Sequence, residues 1–193
     1  MASEIPDKLT PVSVDEAAAA LAVGYRRVTG KSPSAAILSL LLAQWALETG
    51  RGEFCHNYNF GNVKHSSADQ YYQTFRAGEN INGQSIESDM QFAAYLNIDD
   101  GAEAYVRQLQ KRPNWWAGLQ TGDVAKFNAG LSSSPAYYTA DPSTYLATLQ
   151  KLVGEFSVTA KKYASGIWYR IGQALFLVAL AASGVYVYKQ VRR

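Results

Sequence analysis

The 193-residue chain holds one cysteine, two histidines and two methionines. A lone Cys55 excludes any disulfide within the chain. His56 and His65, with that single cysteine, form none of the Cys/His spacings that hold zinc, so no metal is expected. Charge is also scarce. Asp, Glu, Lys and Arg make up 18% of the residues, below the roughly one quarter usual in soluble domains. The net charge is only +2, and no basic cluster with interleaved aromatics occurs in the globular part. Nucleic acid is therefore not an expected partner. The start, MASEIPDKLTPVSVDE, lacks the basic end and apolar core of a secretion signal.

What the chain does have is a long apolar helix that ends in an acid. Residues 34–49 contain no proline or glycine, and apolar side chains fall on nearly every face. Such a helix is usually buried on most sides. Gln44 and Glu48 are four apart and share one face. Gly50 suits the left-handed stop beyond the helix end. Glu48 then lies at the negative end of the helix dipole among apolar neighbours. Both effects disfavour its charged form and raise its pKa. A carboxylic acid that keeps its proton near neutral pH can serve as a general acid. Position alone leaves a solvated last-turn glutamate as an equal reading. Cys55, seven positions on, reads as a small buried apolar residue, not a nucleophile.

Residues 1–12, with two prolines, read as an extended lead-in. Ser13 and Glu16 form a capping box, and a helix to about Thr29 follows, with Ala18, Leu21, Ala22 and Tyr25 inward. Ser32 and Pro33 suit the cap and first turn of the central helix. Residues 70–92 read as a β-hairpin turning at Asn82-Gly83. Ala102, Tyr105, Val106 and Leu109 mark a helix over residues 99–111, with Asp99 or Asp100 as its cap. Trp115 and Trp116 are core candidates that could also stack on sugars. Asp123 starts a further helix. Asp141 and Pro142 are the N-cap and first residue of another, to about Phe156.

Ala46, Glu48, Thr49, Gly50 and Gly52, followed by Asn59, Phe60, Gly61 and Lys64, form a pattern that resembles the glucosaminidase family of peptidoglycan hydrolases. This family is endo-β-N-acetylglucosaminidase-like, and its members include flagellar enzymes and bacterial autolysins. The resemblance implies an α+β, mostly helical, lysozyme-like domain with a small β-hairpin lobe over residues 13–157. It gives Glu48 the role of catalytic acid. Gln44, Asn59, Phe60, Gly61 and Lys64 become substrate-binding candidates. Glu79, four residues before Gly83, keeps the spacing of the family's second acid, with Glu87 and Asp89 as substitutes if the register slips. Tyr138, in Tyr-Thr-Ala-Asp-Pro, matches the tyrosine that faces the acid, and Tyr137 is the alternative. Asn62-Val63 departs from the usual isoleucine before the lysine, and Asn97 replaces a serine. The implied reaction is hydrolysis of a β-1,4 bond in peptidoglycan glycan, without a cofactor. A lytic transglycosylase of the same fold and a non-catalytic glycan-binding module are the rivals.

Beyond a linker at 158–166, residues 167–188 carry no charge except Arg170, with aromatics at both ends. At about 1.5 Å per residue, the 23 residues 166–188 would reach roughly 34 Å, enough for a bilayer core. One C-terminal transmembrane helix is expected, with a short basic tail at 189–193 and a lipid bilayer as partner. Three cations on each side leave its orientation open. A membrane anchor without a leader fits a wall-opening enzyme on the internal membrane of a virion. A bacterial inner-membrane protein is the other reading.

Overall fold

The structure is a computed structural model that describes residues 2–81, 84–133 and 142–164. Six helices and a three-stranded sheet make up the described chain. The elements are β1 (Ser3–Glu4), α1 (Val14–Thr29), α2 (Ala35–Glu48), β2 (Tyr71–Ile81), β3 (Gln84–Ala94), α3 (Ile98–Gln110), α4 (Pro113–Gln120), α5 (Val124–Ser132) and α6 (Pro142–Ala164).

The apolar helix α2 is the axis of the molecule. Every residue from Ile37 to Ala46 is buried, as apolar side chains on all faces require. It packs chiefly against α6, while α1 packs against α3. Gly24 makes the second contact possible. A Cβ there would come within 2.9 Å of the Ala102 backbone, so only glycine lets α1 and α3 approach this closely. Trp115 is buried, with the Arg112 guanidinium 4.0 Å over its ring. Trp116 is half-buried and stacks on Tyr25.

The α1 capping box forms as its sequence requires. The start of α2 differs from expectation by two residues. Ser34, not Ser32, is the N-cap: its Oγ accepts from the Ile37 N–H at 3.2 Å, and Pro33 lies before the helix. At the other end Gly50 takes the left-handed conformation (φ 56°). The Arg51 N–H reaches back to the Ala46 carbonyl at 2.8 Å, the six-to-one bond of a Schellman turn. In α3 the cap is Asn97, which accepts from the Asp100 N–H. Asp99 and Asp100 occupy the first turn and pair with Arg27.

β2 and β3 pair in full antiparallel register from Tyr71↔Ala94 to Ile81↔Gln84, so Asn82 and Gly83 alone separate the strands, the spacing of a two-residue hairpin. The lead-in is not a loose segment. β1 adds to the edge of β2 as a parallel strand, Ser3↔Tyr71 and Glu4↔Tyr72. Thr10 and Val12 N–H groups donate to the carbonyls of Cys55 and Gly52. Helix α6 continues to Ala164, into the stretch expected to be a linker. The expected transmembrane segment, 167–188, lies outside the described residues. Among those described, no helix is long and apolar enough to cross a membrane.

Candidate active site

Helix α2 ends at Glu48, half-buried at the margin of the helical body. The connection from Gly50 to Lys64 then folds back under it. Four non-glycine residues there, Arg51, Asn57, Tyr58 and Asn62, have φ between 42° and 61°. That conformation costs roughly 1 kcal/mol per residue, so it persists only where surrounding contacts fix it.

Those contacts are specific. The Asn57 carboxamide donates to the Pro6 carbonyl (2.9 Å) and to Gln73 Oε1 (2.8 Å). Asn59 donates to the carbonyls of Val63 (3.0 Å) and Ala93 (2.9 Å) and accepts from the Val63 N–H (2.9 Å). Phe60 is wholly buried against Trp45, 6.0 Å between ring centres. The Asn62 carboxamide donates to the backbone carbonyl of Glu48, tying the loop to the residue that precedes the helix cap. Arg51 makes a two-pronged ion pair with Glu155 of α6, which holds the Glu155 carboxyl below the usual carboxylate range.

Between this loop and the hairpin lies a cleft of about 530 Å³. Glu48, Gly61, Asn62 and Lys64 form the side toward the helices. Phe75, Ala77, Gly78, Met90 and Phe92 form the hairpin side. Phe54, 63% exposed, and His56 complete the lining. The His56 ring stacks on Phe75 (4.7 Å), which stacks on Phe92 (4.4 Å). Nδ1 of His56 is 2.6 Å from Asp7 Oδ1 in the lead-in. A second groove, of about 550 Å³ between the 63–71 connection and α3, shares Lys64 but not Glu48.

The cleft thus gathers Glu48, Gly61 and Lys64 from the expected site residues. Three others face inward. Gln44 is 1% exposed and accepts from the Tyr105 hydroxyl at 2.9 Å. Asn59 is also 1% exposed and spends its polar atoms on the loop. Phe60 is core. Burial turns these side chains away from the cleft: Asn59 and Phe60 support the loop, and Gln44 links α2 to α3.

Position 79 pairs with Ile86, and strand alternation puts it on the sheet face of Phe75 and Ala77. The Glu79 side chain lies outside what is described, as do Tyr137 and Tyr138. Glu87 and Asp89 are exposed and alternate onto the opposite face, where Glu87 pairs with Arg76 at 3.1 Å. The register therefore puts them on the face away from Phe75 and Ala77.

Cys55 is buried, and desolvation pushes its thiol up to about 11, which suits a packing residue and not a nucleophile. Among the described residues, no three His, Cys, Asp or Glu side chains gather to hold a metal. His56, Asp7, Asn62 and Phe54 were not legible as site residues. The one available signal was the density of asparagine and aromatics between residues 54 and 62.

The described architecture matches a solved glycoside hydrolase domain of FlgJ from Salmonella typhimurium, truncated at its C-terminus. The TM-score is 0.53 at 23% identity, over 76% of this chain and 99% of that one. The chain has that fold. It also matches the catalytic domain of the autolysin Auto from Listeria monocytogenes, with TM-score 0.56, 19% identity, and coverage of 78% and 85%. A peptidoglycan hydrolase from Sphingomonas gives 0.52 at 24% identity, over 72% of this chain and 85% of that one. In sequence, the chain is 33% identical over 120 residues to the peptidoglycan hydrolase FlgJ of Vibrio parahaemolyticus, covering 54% of this chain. It spans 36% of that relative's length. No family model matches the chain.

Proposed function

We propose that the chain is a peptidoglycan hydrolase of endo-β-N-acetylglucosaminidase type, with Glu48 as general acid. The observation that carries this is the placing of Glu48 at the end of a buried helix, facing a cleft closed on its other side by a β-hairpin, in a fold shared with glycoside hydrolase domains. A glycan strand lies along the cleft. Glu48 gives its proton to the bridging oxygen as the bond to the anomeric carbon breaks. Glu79, on the cleft face of β2, activates the attacking water, or stabilises the developing positive charge while the substrate's own acetamido group assists. A carboxyl separation of roughly 6.5–9.5 Å admits a water and gives inversion, whereas about 5 Å gives retention. Tyr138, or Tyr137 beside it, orients substrate or water. The apolar segment 167–188 anchors the enzyme to a bilayer, on the internal membrane of a virion or the inner membrane of a bacterium.

Glu48→Gln keeps the shape and loses the proton. Wall lysis is expected to fall by about 10²–10⁴-fold, the range for loss of a general acid, with the melting temperature little changed. Undiminished lysis by a folded variant would end the assignment. Mass spectrometry of the digested wall fixes the reaction. Reducing N-acetylglucosamine ends are expected. Anhydro ends would make the protein a lytic transglycosylase.

A further inference from the structure

We propose that His56 is a substrate-binding residue of the cleft. Its Nε2 accepts a hydrogen bond from an N-acetylhexosamine, through a hydroxyl or the acetamido N–H, and Asp7 is the positioning residue that selects the tautomer with the proton on Nδ1.

The ring is fixed on three counts. Its Nδ1 is 2.6 Å from the Asp7 carboxylate, one face lies on Phe75, and its backbone is bridged to Leu9 and accepts from the Gln73 carboxamide. A carboxylate oxygen accepts, so Nδ1 is the ring nitrogen that donates to Asp7. Nε2 is then a lone-pair acceptor, and it makes no hydrogen bond with any described residue. The side chain is 25% exposed and shares the cleft lining with Glu48. A bare acceptor beside the Phe75–Phe92 stack suits a sugar ring. Such a ring offers an apolar C–H face and, next to it, hydroxyl and amide donors. Neither Asp7 nor His56 belongs to the motif that carries the family resemblance.

The proposal rests on the glycan-hydrolase reading, but its test does not use turnover. The probe is the β-1,4 tetramer of N-acetylglucosamine, titrated calorimetrically into the full-length protein. His56→Phe keeps a ring on Phe75 and removes the acceptor. Affinity is expected to fall about five- to tenfold, the worth of one hydrogen bond. Asp7→Ala leaves the imidazole present but unfixed and should cost about threefold by the same measure. In the wild type, a long-range proton–nitrogen spectrum should show Nδ1 protonated and the Nε2 signal moving as sugar is added.

Two outcomes overturn the proposal. One is unchanged affinity in both variants with only a lower melting temperature, which makes the Asp7–His56 contact a tether for the lead-in. The other is a wild type that does not bind the tetramer or shows an unmoved Nε2 signal. Lysis by Glu48→Gln would instead remove the hydrolase reading and leave the titration standing.

Discussion

Glu48 and Cys55 lie seven positions apart on one short connection, and burial treats them differently. Glu48 remains half-buried at the cleft, whereas Cys55 is enclosed. The thiol keeps its proton in the folded state to about pH 11, against about 9 when exposed. Between those values the unfolded chain has released a proton that the folded chain retains, so stability falls as pH rises from about 9 to 11. Two pKa units correspond to roughly 2–3 kcal/mol. Urea unfolding across that range should show a steeper decline for wild type than for Cys55→Ala. Parallel declines would mean that the thiol is not enclosed. At neutral pH, alkylation of Cys55 should be slow until the chain unfolds.

The loop from Gly50 to Lys64 is where sequence and structure part. Its outline was legible, because an apolar helix, an acid, glycines and an Asn-Phe-Gly step occur together. The side-chain directions were not. A loop asparagine in contact with a sugar and one satisfied by loop carbonyls look alike in sequence, and only the partners tell them apart. Asn59 finds three backbone groups and turns inward, while Lys64 is exposed and lines the cleft. Two variants separate these roles. Asn59→Ala leaves buried groups unsatisfied and should cost about 2–3 kcal/mol of stability, with lysis lost alongside. Lys64→Ala should leave the melting temperature within a degree or two and raise KM at constant kcat. Thermal melts with turbidity assays would decide, and a stable Asn59→Ala with raised KM would restore Asn59 as a substrate contact. The hairpin was more legible. Asn-Gly is a two-residue turn signal, and the observed register, from Ile81↔Gln84 rung by rung to Tyr71↔Ala94, agrees with it. The pairing of the extended lead-in escaped notice because β1 is two residues long and held by backbone hydrogen bonds, which leave no periodic pattern to read.

Across the whole molecule, α6 leads from the helical body toward the proposed anchor. Its Ala160 is buried in the core, and few residues separate it from the apolar stretch that starts at Ile167. The tether is short, so an anchored domain would work on glycan close to the bilayer. Full-length protein expressed in bacteria should stay in the membrane pellet after alkaline carbonate washing, and a chain ending at residue 164 should not. Release of the full-length protein by carbonate would remove the anchor.

Ser3 and Glu4 find their partners in Tyr71 and Tyr72, about seventy residues further along. During synthesis this segment leaves the ribosome well before its partner strand and must wait for it before it can settle. The lead-in therefore settles late in biosynthesis, and with it the contact between Asp7 and a ring that lines the cleft.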